Sequence, residues 1–172
     1  MFICKSFIKK PELKIDSLDT INEEWEKYFI EVSEKNISAP IVNKLNLNYL
    51  EGAIYLKYGN EVILGFQLWD YVDQLWAYVI QLIEEFILRD SSETFFPDQP
   101  ARIKFQKISN ECLNMIVEAN TRSSWILPKQ EFLTTLLNAS EKFFQNITGI
   151  LGLVNNPYTS ELSKIRELKE KI

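Results

Sequence analysis

Residues 65–76 read GFQLWDYVDQLW, with two aspartates three residues apart among two tryptophans, a tyrosine and a phenylalanine. The stretch is either a carboxylate pair in an aromatic pocket or a strand running into a helix. Its flanks decide. Upstream, GAIYLKY (52–58) and EVILGFQL (61–68) alternate in hydropathy and are joined by Gly59-Asn60. That pattern predicts a β-hairpin with a two-residue turn. Ile54, Leu56 and Tyr58 share one face of its first strand, and Val62, Leu64, Phe66 and Leu68 one face of its second. Downstream, Val72, Leu75, Trp76, Val79, Ile80, Leu82, Ile83, Phe86 and Ile87 fall within an arc of roughly 160° at helical spacing. A helix over 70–88 is expected, laid against a sheet. Asp70 then falls at the N-cap and Asp73 at the third helical position, where free amides and the helix dipole favour ionised carboxylates. A general acid needs the opposite. Glu84 and Glu85, next along this helix, lie about 21 Å away and form no dyad with Asp70. The stretch reads as a junction.

Working outward, SSETFFPDQP (91–100) reads as a connector. ARIKFQKI (101–108), ECLNMIVEA (111–119) and SSWIL (123–127) are strand candidates separated by turn residues, an antiparallel meander. PKQEFLTTLLNASEKFFQNI (128–147) predicts a helix with proline in its first turn. TGILGLVNNPYT (148–159) is a Gly- and Pro-punctuated link, and SELSKIRELKEKI (160–172) a short charged helix. Near the start, TINEEWEKYFIEVSEKN (20–36) predicts a first helix, with a capping box at Thr20 and Glu23. Its buried arc would hold Ile21, Trp25, Tyr28, Phe29 and Val32. Together these give an α+β fold in a single domain, 1–172. The order is αββαβββαα, with an antiparallel sheet of about five strands and helices packed mainly on one face.

Composition narrows the chemistry. There is no histidine among the 172 residues, which removes the commonest general base, the usual zinc ligand and every Ser-His or Cys-His nucleophile. Cys4 and Cys112 are too few for a disulfide framework and read as reduced thiols of a cytoplasmic protein. The opening MFICKSFIKKPELK lacks a secretory pattern, and no apolar run reaches the ~18 residues of a membrane helix. Glycines at 52, 59, 65, 149 and 152 are scattered, so no phosphate loop is expected, nor any cofactor or metal centre. Net charge is −5, and the whole excess sits in residues 16–36, where seven acids face two lysines. An acidic balance disfavours nucleic acid.

What remains are two recognition surfaces. One is the acidic first helix, with Glu23, Glu26, Glu31 and Glu34 outside its buried arc and Ile30 among them. The other is a sheet face carrying Tyr55, Lys57, Ile63, Gln67, Arg102, Lys104, Gln106 and Ile116. Both are ordinary protein-recognition surfaces, and the first suits a basic protein partner. The blocks WDYVDQLW, FPDQP and WILPKQEF, spread over residues 69–132, resemble small bacterial α+β proteins of the polymorphic-toxin immunity type. That resemblance covers the central half of the chain, carries no site residues, and implies a stoichiometric protein binder. The leading expectation is therefore a non-enzymatic binding module. Two alternatives stay open: a histidine-independent enzyme using carboxylates such as Glu118 or Asp98, and a homo-oligomer subunit using the sheet face.

Overall fold

The protein is described by a computed structural model over residues 1–33 and 37–172. The chain begins in a strand, β1 (Phe2–Lys9), which the sequence reading had not assigned. Its sequence, FICKSFIK, has no two-residue alternation of apolar and polar side chains to mark it. After an irregular stretch comes one helical turn, α1 (Trp25–Tyr28), and then a short strand, β2 (Phe29–Glu31), paired with β1.

The helix expected over 20–36 is therefore corrected: residues 21–24 form a turn, and 29–31 join the sheet edge. Residues 34–36 of that expectation lie outside the described residues. Aromatic and β-branched Tyr28-Phe29-Ile30 favours extended backbone, and the exposed edge of β1 supplies partners in the register Phe7↔Glu31, Ile8↔Ile30, Lys9↔Phe29. Ile21, Tyr28, Phe29 and Val32 are buried all the same, through a different backbone path.

A second isolated turn, α2 (Ala39–Val42), precedes the hairpin of β3 (Glu51–Tyr58) and β4 (Glu61–Leu64). Tyr58 pairs with Glu61 across the two-residue turn, and Gly59 adopts φ +58°, a conformation glycine takes without strain. The second strand does not run on to Leu68. It leaves the sheet at Gly65, makes a 3₁₀ turn over Phe66–Leu68, and returns as the two-residue strand β5 (Asp70–Tyr71) beside Glu51 and Gly52. Pairing with β3 shifts register between Leu56 and Lys57, and Val62 is exposed while Ile63 is buried; Leu64, Phe66 and Leu68 are buried as expected. Gly52 is needed where β1, β3 and the following helix converge. A Cβ there would overlap the Phe7 carbonyl oxygen and come within 2.8 Å of Val72 Cγ1.

Helix α3 (Val72–Arg89) follows, as expected but starting two residues later. The connector expected at 91–100 contains a strand, β6 (Ser91–Phe95), which pairs with β7 (Arg102–Lys107). The meander continues through β8 (Cys112–Glu118) and β9 (Arg122–Pro128). Two long segments then complete the fold, α4 (Lys129–Leu151) and α5 (Thr159–Lys169).

The class is α+β, and its strands divide between two antiparallel sheets. The first has the order β2-β1-β3-β4 with β5 also on β3, and the second the order β6-β7-β8-β9. One main core draws Ile8, Ile54 and Leu56 from the first sheet, Ile103, Phe105 and Leu113 from the second, and the apolar faces of α3, α4 and α5. Trp76, fully buried on α3, donates its indole N–H to Ser6 Oγ at 2.9 Å, satisfying two polar groups where helix and sheet meet. The opposite face of the first sheet carries a second, smaller cluster of Phe7, Ile21, Tyr28, Phe29, Ala53 and Phe66. It is covered by the irregular segment before β2, not by a helix. Among the described residues, no helix is long and apolar enough to cross a membrane.

Candidate partner-binding surfaces

The two aspartates of GFQLWDYVDQLW have separate tasks. Asp70 precedes the helix in β5, and Tyr71 holds the N-cap position. The Asp70 carboxylate, 2% exposed, instead accepts hydrogen bonds from the backbone N–H groups of Asp98 (3.1 Å to each oxygen), Gln99 (3.0 Å) and Tyr71 (2.7 Å). The Gln99 side chain returns a hydrogen bond to the Trp69 carbonyl. Asp70 is a clasp that closes FPDQP onto the junction.

Asp73 lies in the first turn of α3, where Tyr158 donates its hydroxyl to Oδ2 at 3.1 Å. Oδ1 is buried with no hydrogen-bond partner among the described residues. Burial pushes this carboxyl above its ordinary value, outweighing the helix amides and the Tyr158 hydroxyl, which act the other way. This corrects the sequence expectation that the helix start lowers its proton affinity. Loss of solvent dominates.

Other candidate groups are also engaged. Glu118 accepts from Arg102 Nε at 3.1 Å and pairs with Arg122 at 3.5 Å. The hydrogen bond from Arg102 holds its carboxyl below the usual range, which disfavours a general acid role. Cys4 packs against the main core, and burial pushes its thiol up to about 12, far from the reactive range. A cavity of about 530 Å³ opens beside the start of α4, between Phe86, Ile87 and Leu133. Its lining mixes Asp90, Glu111 and Glu131 with Lys129 and Lys171.

The residues expected to meet a partner are sorted by the fold as follows. Glu23 and Glu26 are exposed on the turn and on α1, and with Glu24 they make no ion pair among the described residues. Ile30 does not stand among them. It sits on β2 facing inward and packs against the main core, a correction that follows from strand alternation replacing helical spacing. Glu31, on β2, pairs with Lys5 at 2.9 Å. Glu34 lies outside the described residues.

The sheet face expected to unite Tyr55 with Arg102 and Lys104 divides between the two sheets. Ile63 and Ile116, placed on that face from the sequence, are buried. On the second sheet, Arg102 reaches both Glu118 and Glu93, and its guanidinium lies 5.9 Å from the Phe95 ring. Lys104 stands beside it, opposite Glu93 and Ile116. This basic cluster is balanced by its own carboxylates.

Tyr55 and Glu31, by contrast, come together. They line a groove of about 300 Å³ on the outer face of the first sheet with Ile3, Lys5, Phe7, Asn22, Trp25 and Phe66. Strand register builds it: Lys5 lies directly opposite Tyr55, and Phe7 opposite Glu31. The wall is an aromatic stack. Trp25 lies on Phe66 at 5.3 Å between ring centres and 3° between planes, and Tyr55 on Phe66 at 5.5 Å and 26°. Phe7 meets both Trp25 and Phe66 edge-on. Phe66 is buried, whereas Trp25 and Tyr55 keep part of their rings on the groove.

Asn22 fixes the wall in place. Its Oδ1 accepts from Phe66 N at 2.7 Å, and its Nδ2 donates to Gln67 Oε1 at 2.7 Å. Sequence reasoning missed Lys5 and Ile3, and it put Trp25 in a helix's buried arc. FICKSFIK carries no two-residue alternation that could have found the first two. Comparison with protein-family models, with curated proteins and with solved structures found no match.

Proposed function

We propose that this protein is a non-enzymatic protein-binding module that engages a basic protein partner through the groove on the outer face of its first sheet. The observation that carries the reading is the aromatic wall of Trp25, Phe66 and Tyr55, partly open and lined by Glu31, with the exposed Glu23, Glu24 and Glu26 flanking Trp25 in the chain. Rigid aromatic side chains with a polar rim are what protein interfaces concentrate at their centres. These exposed glutamates would add a local negative field of the kind that speeds encounter with a basic surface. The resemblance of the WDYVDQLW, FPDQP and WILPKQEF blocks to immunity-type proteins makes a toxin the first class of partner to test.

The test starts with affinity capture from the native cell and mass spectrometry, followed by kinetics with the stoichiometric partner found. Reversing Glu23, Glu24 and Glu26 to lysine together is expected to slow association at least ~10-fold at low salt. Trp25→Ala is expected to speed dissociation, because a central aromatic anchor acts mainly on the off-rate. A partner whose two rate constants ignore both variants would overturn the assignment of the groove. Turnover of a small molecule by the purified protein, with no stoichiometric partner, would overturn the non-enzymatic reading.

A further inference from the structure

We infer that the β9 edge of the second sheet pairs with the β9 edge of a second copy of this chain, about a two-fold axis at Ser124. The inference goes beyond the proposed partner groove and does not rest on it. The pairing of β9 with β8 fixes which of its backbone groups are free. Just past the strand, Lys129 N–H donates to the Glu111 carbonyl at 2.7 Å, continuing the register in which Leu127 lies opposite Leu113 and Ser123 opposite Val117. Hydrogen-bonded and non-hydrogen-bonded pairs alternate along an antiparallel ladder. Leu127, Trp125 and Ser123 therefore bond to β8, while Arg122, Ser124 and Ile126 turn their N–H and C=O groups away from the sheet. Among the described residues, no backbone hydrogen bond from another element reaches those three. Their side chains are all exposed, Ile126 to 66%.

A free strand edge is a template for another strand, and proteins blunt such edges with short length, bulges, proline or charge. The other edges here carry such devices. β2, β4 and β5 have three, four and two residues, and the pairing of β4 includes a register shift. On β6, Lys107 N–H on the Asp90 carbonyl at 2.9 Å sets the alternation, so Ser91, Glu93 and Phe95 point outward. Two copies paired there would set Glu93 against Glu93, a like-charge contact.

β9 differs. It runs seven residues, RSSWILP, with no charge after Arg122 and proline only at its last position. Paired antiparallel with itself, it sets Ser124 opposite Ser124, and Ile126 opposite Arg122 of the second copy, whose aliphatic stem covers part of the exposed isoleucine. The outward N–H and C=O groups of all three residues then find partners, and no like charges meet. Such a contact closes on itself, giving a dimer with one sheet continuous through both copies. The strand is about 24 Å long at ~3.4 Å per residue. That is a small interface, so the dimer is expected to be weak and reversible.

Sedimentation of the whole protein between about 10 and about 500 µM, with hydrogen exchange followed by NMR at both ends of the range, tests the edge. A monomer–dimer equilibrium is expected, with the Ser124 and Ile126 amides exchanging at least ~3-fold more slowly at the upper concentration and those of Ser91, Glu93 and Phe95 unchanged. Ser124→Lys sets two like charges across the axis and is expected to hold the protein monomeric at about 500 µM with an unchanged circular dichroism spectrum. Ser124→Pro removes an outward donor and no bond to β8, and is expected to do the same.

A monomer throughout the range, or growth beyond a dimer, would overturn the inference. So would a dimer that persists in either folded variant, or slowed exchange at Ser91, Glu93 and Phe95 in place of Ser124 and Ile126. None of these results bears on the groove, which the partner kinetics test separately.

Discussion

Replacing Asp70 by alanine separates the clasp from the simple helix cap that the sequence suggested. An N-cap aspartate is worth about 1 kcal/mol to its helix. The observed carboxylate, 2% exposed, holds the backbone N–H groups of Asp98 and Gln99 as well as that of Tyr71. Hydrogen bonds to a charged acceptor contribute about 1.5–3 kcal/mol each, and a buried donor left unpaired costs about 1–3 kcal/mol. Gln99 is half-buried and Asp98 exposed, so water reaches part of the released loop and reduces the loss. A net cost of about 2–4 kcal/mol results from losing the charged bonds with partial rescue by solvent. For a chain of this size that lowers the melting temperature by roughly 4–16 °C. Asp70→Asn should also destabilise, since either orientation of its amide turns an NH₂ group toward a backbone donor. The assay is urea unfolding with hydrogen exchange, in which the Asp98 and Gln99 amides are expected to lose protection. A cost below about 1 kcal/mol, with both amides still protected, would refute the clasp.

Two further perturbations test the frame around the junction. Gly52→Ala should cost at least about 3 kcal/mol or abolish folding, because its Cβ meets the Phe7 carbonyl and the Val72 side chain, neither of which can retreat from a packed sheet–helix contact. Gly59→Ala is the control: with open space around it and φ +58°, it should cost only about 1 kcal/mol of backbone strain, and equal urea midpoints for the two variants would refute the packing argument. Asp73→Asn tests burial against helix dipole. A carboxyl whose folded value is raised above the ordinary 3.8 destabilises the fold once ionised, so the penalty is absent below that value, grows as pH rises through it, and is complete above the folded value. The asparagine variant should therefore gain stability relative to the parent as pH is raised from about 4 to about 7, and a constant difference across that range would refute the assignment.

The elements legible in the sequence are those whose periodicity is long and whose partners are near. Helix α3 shows its buried face over five turns, and β7, β8 and β9 follow one another through short turns. β2 failed for a physical reason: three residues carry no period of their own, and their extended form depends on the edge of β1, 20 to 24 residues earlier. The excursion Gly65–Trp69 was hidden in the same way, since it is fixed by Asn22 from a distant segment. The division into two sheets was equally illegible, because strand alternation reports a buried face without naming the sheet that supplies it. The groove collects Lys5, Trp25 with Glu31, Tyr55 and Phe66 from four separate stretches, so no local motif could announce it.

The acidic segment is not the expected helix, yet its Glu23, Glu24 and Glu26 remain exposed. Which face a side chain takes depends on the backbone period, and this is why Ile30 moved into the core when residues 29–31 became a strand. Electrostatic steering depends on where charge sits relative to the docking surface, over a screening distance of about 8 Å at physiological ionic strength. Trp25 is itself part of the groove wall, and Glu24 and Glu26 are its immediate neighbours in the chain. The turn and α1 therefore leave Glu23, Glu24 and Glu26 exposed within two residues of a groove-lining tryptophan, where a regular helix would have put Trp25 in its buried arc. The proposed binding role would divide labour within this short segment: its exposed carboxylates are expected to act before contact, on the rate of encounter and its salt dependence, and its tryptophan after contact, on the lifetime of the complex.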